Sequence, residues 1–179
     1  MDVNSMVSAH DVAKLFLSWA NRDGDLITNL KMQKLLYYAQ VWHLVNFKVP
    51  LFSDKIEAWE SGPAIPNIYH YFKDCGHSPI NYEEIGNEED VFSSDQLEYL
   101  HLFYDKFIGF SAHELVNMSH NELPWKDVFE KGEKFKIISH KSMKEFYPKL
   151  LEKPIYPGWP PAEQQPHEPV WPLFGSPLN

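Results

Sequence analysis

The chain has one cysteine, Cys75, and one arginine, Arg22, among its 179 residues. A lone cysteine excludes an internal disulfide framework and any cysteine-rich zinc or iron–sulfur site, and it suits a reducing cytoplasm. With 16 Lys plus Arg against 25 Asp plus Glu, a lone arginine leaves no basic face of guanidinium forks. Direct nucleic-acid binding is therefore disfavoured. The eight glycines are scattered singly, so neither G-x-x-x-x-G-K-[ST] nor G-x-G-x-x-G occurs and no phosphate cradle is spelled out. The longest charge-free run, Leu35 to Phe47, is 13 residues, short of the roughly 20 that a membrane span needs. No N-terminal signal pattern is visible, and a soluble cytoplasmic protein is expected.

What the chain does have is acid in one place and helix signals almost everywhere. Nine acids, among them Glu83, Glu84, Glu88, Glu89 and Asp90, fall between Asp74 and Asp105 without a single Lys or Arg. The remainder of the chain is neutral, so the net charge of −9 is local. Such a segment is either a solvated loop or a surface for a basic protein partner. Ser8 with Asp11 and Ser111 with Glu114 have the spacing of capping boxes, in which each side chain bonds the other's backbone N–H. Thr28 opens a helix that is apolar on nearly every side as far as Phe47, interrupted by Lys31, Gln33, Lys34 and Gln40. A helix of that kind belongs at the centre of a bundle.

Further stripes predict helices over Leu97 to Ile108, from Ser111 to Met118, for one turn at Pro124-Trp125, and from Ser139 to about Leu151. A short helix is expected over Asn67 to Lys73. Ile56 to Trp59 alternates like a short strand, Gly62-Pro63 and Pro66 force a rigid turn, and Asp74 to Ser94 reads as a long loop with a short strand near Ile80 to Tyr82. The expected fold is mainly α: a compact helical bundle around a central buried helix at about 28–47, with minor short β strands. It occupies residues 1–153. Residues 154–179 contain eight of the 14 prolines and form a Pro-rich tail with no core of its own. The tail's Trp159, Trp171 and Phe174 must lie on their own domain, on a second copy, or on a partner.

No constellation amounts to an active site. His113-Glu114 has Asn117 where a zinc-protease helix needs its second histidine. Cys75 and His77 share a glycine-containing loop that supplies neither a fixed base nor an oxyanion site. His43 and Asn46 are expected to form a structural hydrogen-bond pair, because buried polar groups must find partners. A metal-dependent hydrolase using His113, His120 and Glu122 is the enzymatic alternative to a binding protein. No helix-turn-helix with a basic recognition helix is visible.

Three blocks of sequence carry a resemblance. Thr28-Asn29-Leu30-Lys31-Met32-Gln33-Lys34-Leu35-Leu36-Tyr37-Tyr38-Ala39-Gln40 with Trp42 resembles the opening signature of the Panacea domain, the SocA-like antitoxin family, also labelled phage-associated GepA-like. Pro50-Leu51-Phe52, Ile56-Glu57-Ala58-Trp59 and Gly62-Pro63-Ala64-Ile65-Pro66 with Tyr69 resemble its second block, in which a larger aliphatic residue than Ala64 is usual. Ser119-His120-Asn121-Glu122-Leu123-Pro124-Trp125 resembles its T-H-x-E-x-P-W element, with Ser in place of Thr. The blocks stand in family order over about 100 residues, and the Pro-rich tail lies outside the pattern.

The resemblance implies a bacterial or phage antitoxin that neutralises a cognate toxin by direct protein binding. It also implies an alternative, an adaptor delivering the toxin to a cytoplasmic protease. No cofactor or metal is expected. Leu35, Leu36, Tyr38, Ala39 and Trp42 are read as core. Glu57, Trp59, Tyr69, His120 and Trp125 are read as a shared partner-binding groove, joined by the 83–90 acids and the tail aromatics.

Overall fold

The computed structural model describes residues 6–133 and 135–152. Within them the chain folds into helices α1 (Ala9–Asp23), α2 (Asn29–Phe47), α3 (Pro66–Tyr71), α4 (Ser94–Phe107), α5 (Ala112–His120), α6 (Leu123–Lys126) and α7 (His140–Glu152), with strands β1 (Glu57–Trp59) and β2 (Gly62–Ala64). The mainly helical architecture with minor β is as the sequence implies. Trp159, Trp171 and Phe174 lie outside the described residues.

Helix boundaries follow local chemistry. Both expected capping boxes are formed, Ser8 with Asp11 on α1 and Ser111 with Glu114 on α5. Ser93 and Gln96 form a third at the start of α4. α1 ends at Gly24, whose φ of 79° is readily reached only without a Cβ. α5 runs unbroken to His120, past the expected break at Ser119.

α2 is the axis. Fifteen of its 19 residues are buried, so it is enclosed on every side, and α7, α5, β2, α1, α3 and α4 all pack on it. Burial of each large apolar side chain there stabilises the fold by about 1.5–3 kcal/mol. Tyr38 stacks on Phe107 and meets Tyr147 edge-on, and Trp42, one turn further along α2, meets the same Tyr147 edge-on.

Two local expectations are corrected. Gly62-Pro63 is not only a turn: residues 62–64 pair antiparallel with 57–59, in the register Glu57 to Ala64 and Trp59 to Gly62. Pro63 is tolerated because the hairpin has only two strands and needs no second ladder. The other edge of β1 is met by residues 136–138, through Ala58 N–H to Lys136 O at 2.8 Å and Ile138 N–H to Ile56 O at 2.9 Å. The strand expected near Ile80 reduces to a single bridge between Thr28 and Pro79.

A Trp59-centred groove and a buried lysine

The polar residues of α2 reach outward to fix the loops around it. Gln40 accepts from the N–H groups of Leu51 (2.7 Å) and Phe52 (3.3 Å), and donates to Phe52 O (2.7 Å). Gln33 accepts from Ile65 N–H at 2.8 Å and donates to Asn29, which in turn donates to Tyr69 O at 3.0 Å. Tyr38 donates to the Glu122 carboxylate at 2.9 Å, and Tyr147 donates to the same oxygen. Since Tyr147 gives its proton to Glu122, the 2.8 Å contact between Tyr37 and Tyr147 has Tyr37 as donor. The opening motif thus ties the second and third sequence blocks to the central helix. Each bond saves a buried backbone or carboxylate group from being left unpaired, at about 1–3 kcal/mol apiece.

His43 and Asn46 do not pair with each other, contrary to expectation. His43 Nδ1–H donates to Val49 O at 2.8 Å, and Asn46 donates to Trp42 O at 2.8 Å. A carbonyl only accepts, which fixes the proton on Nδ1. Burial, partly opposed by this bond, lowers the His43 pKa to about 4 and keeps the ring neutral.

Lys34 is the most unusual member. It is 1% exposed, and its amine donates to Pro63 O at 2.6 Å. Burial alone brings its pKa down to about 7. Gly62 packs directly on it: a Cβ at that position, where φ is +91°, would stand 2.9 Å from Lys34 Cε and 2.8 Å from Ser119 Oγ.

The five residues expected in a groove are linked by contacts through Trp59 and Trp125, but only Glu57 and Trp59 line the groove described below. Trp59 donates to the Glu57 carboxylate at 2.8 Å and meets Tyr69 edge-on at 4.9 Å. Trp125 donates to Trp59 O at 2.9 Å, and His120 stacks on Trp125 at 4.1 Å. Burial first, and the nearby Lys34 charge second, lower the His120 pKa against an opposing bond to the Glu60 backbone. Their exposure is not as expected, however. Glu57 and Trp125 are each only 8% exposed: Glu57 lies in β1, which is paired with β2 on one edge and met by residues 136–138 on the other, and Trp125 stacks with His120 and with Phe129. Tyr69, at 39%, is the open member.

Beside Trp59 is a groove of about 470 Å³, lined by Glu57, Glu60, Glu133, Phe129, Phe135 and His70 among others. Phe135 was not singled out from the sequence. It is 76% exposed and holds a φ of 64°, a conformation that bulky residues rarely adopt.

The acidic segment lies elsewhere, laid along α1. Ser18 donates to Glu84 and Asn21 to Tyr82 O, while Trp19 donates to Glu89, which also pairs with Arg22 at 3.7 Å. Glu88, expected to face a partner, is instead buried in its own loop, accepting from Ile85 N–H, Gly86 N–H and the Tyr82 hydroxyl. Glu83 and Asp90 are exposed.

The hydrolase trio is not assembled: His113 is exposed, His120 stacks on Trp125, and Glu122 is turned into the core. Among the described residues no group of three or more His, Cys, Asp or Glu could hold a metal ion, and no helix is long and apolar enough to cross a membrane.

Fold and site define a small helical domain built on a buried helix axis, with an aromatic, acid-lined groove beside Trp59. The chain belongs to the SocA-like antitoxin family: the profile described as "Antitoxin SocA-like, Panacea domain" matches residues 32–126. Among curated proteins it is similar to Antitoxin SocA of Caulobacter vibrioides (strain NA1000 / CB15N). The two are 32% identical over 136 residues, covering 70% of this chain and 72% of that protein. No solved structure matches.

Proposed function

We propose that this protein is an antitoxin that neutralises a cognate toxin by binding it directly in the cytoplasm, without catalysis, and that the Trp59 groove is part of the contact face. Family membership and the likeness to Antitoxin SocA support the antitoxin role. The observation that carries the contact face is the groove itself. Three carboxylates and three aromatic rings line one concavity, chemistry suited to a basic or amphipathic side chain of a partner. Aromatic anchors would supply most of the affinity and the carboxylates the orientation. Glu83 and Asp90, exposed on the α1 side, would add electrostatic steering rather than close contact.

The test uses the exposed members, since Trp125 and Glu57 also hold the fold. Phe135→Ala combined with Glu60→Lys is expected to abolish growth rescue in cells expressing the toxin, with an unchanged thermal melt. Full rescue by this double variant would remove the groove from the contact face. Toxin lifetime in the same cells separates the modes of action. An inhibitor leaves the lifetime unchanged, whereas an adaptor to a protease shortens it.

A further inference from the structure

A second cavity, of about 320 Å³, shares Trp59 with the first and is bounded by α2, the β1–β2 hairpin and the segment from Tyr69 to His77. Its composition is the reverse of the first. Lys34, Lys73 and His77 are in its wall with the rings of Trp59 and Tyr69, and none of its lining residues is acidic. We propose that this cavity is a binding site for a small carboxylate with a flat apolar body, its carboxylate meeting the buried Lys34 amine and its body lying against Trp59 and Tyr69.

An ammonium carries three N–H donors, and the bond found for Lys34 is the one to Pro63 O. Burial is the sole cause of its lowered pKa, so no carboxylate among the described residues offsets the charge. A buried cation without a counter-ion is costly, and an anion reaching it from the cavity would supply what the fold does not. The two oxygens of a carboxylate match the donors left over. A phosphate dianion would bring a second charge into a cavity with no second buried cation and no arginine. The exposed Lys73 and His77 at the rim favour entry of an anion. The volume is at the lower end of the range for small-molecule sites, which suits a ligand of about one ring.

Phenylacetate is a suitable probe, with phenylacetamide as its neutral isostere. Each is titrated into the full chain at pH 6 and pH 9, followed by NMR on the tryptophan indole N–H signals. Phenylacetate is expected to perturb the Trp59 indole and to bind at least about tenfold more tightly than the amide at pH 6. It should weaken at least about tenfold at pH 9, where Lys34 is neutral, while the amide shows no such dependence. Four other titratable groups face this region: His120 on α5, Tyr69 on α3, and Lys73 and His77 at the rim. Lys34→Met tests whether they suffice, and it is expected to lose at least about tenfold in phenylacetate affinity at pH 6. Equal affinity for acid and amide, no binding of either up to about 10 mM, or unchanged phenylacetate affinity in Lys34→Met would each overturn the proposal. Should Lys34→Met fail to fold, the acid–amide comparison on the unaltered chain decides.

Discussion

Replacing Lys34 by methionine keeps nearly the same side-chain volume on α2 and removes its amine. In the unfolded chain that amine titrates near 10.5, and in the folded chain near 7. Between these values the unfolded state holds the proton and the folded state does not. The penalty for burying the charge is therefore fully present below pH 7, relieved as pH rises, and absent above 10.5. Integrating the proton difference from pH 7 to pH 9 gives a gain in stability of about 2 kcal/mol from this one group. Lys34→Met has no such term. It also leaves Pro63 O without its donor, a loss of about 1–3 kcal/mol that does not vary with pH. The variant should be less stable than the parent at pH 9, and the gap should narrow or reverse by pH 6. Urea unfolding of both proteins at pH 6, 7, 8 and 9 measures this difference. Parallel profiles across that range would show that the amine is not buried uncompensated.

Two further substitutions probe how α2 organises the loops. Gln40→Leu leaves the N–H of Leu51 and both backbone groups of Phe52 without the amide that serves them, and should cost about 3 kcal/mol or more by urea unfolding; a change below about 0.5 kcal/mol would contradict the bracing role. Gly62→Ala places a methyl group against Ser119 and Lys34 at a positive φ. It should destabilise by about 1–3 kcal/mol, whereas a thermal melt equal to the parent's would mean that the hairpin can shift away from α2 at no cost.

The helices were legible because their signals are local. Capping boxes lie within four residues, and the Ser93–Gln96 box, which was passed over, has the same spacing as the two that were read. The central helix was legible because no polar face interrupts it. What the sequence concealed is what its polar residues do. Gln33, Lys34 and Gln40 read as interruptions of an apolar surface, yet each bonds a backbone group outside the helices, at Ile65, at Pro63 in β2 and at Phe52 respectively. Nothing in local spacing names such partners. The clustering of Glu57, Trp59, Tyr69, His120 and Trp125 was anticipated through family resemblance; the burial of Glu57 and Trp125 was not, because it depends on long-range packing that local spacing does not reveal. Glu88 shows the same limit: its charge is plain in the sequence, and its inward turn is set by three donors of its own loop.

Direct occupation of the toxin is the step on which the proposed antitoxin role turns. Native mass spectrometry of the purified chain mixed with its cognate toxin, with no protease present, tests it most directly. A stable complex of defined stoichiometry, in which the toxin is intact and inactive, is expected. Free toxin that keeps full activity beside this chain would contradict it.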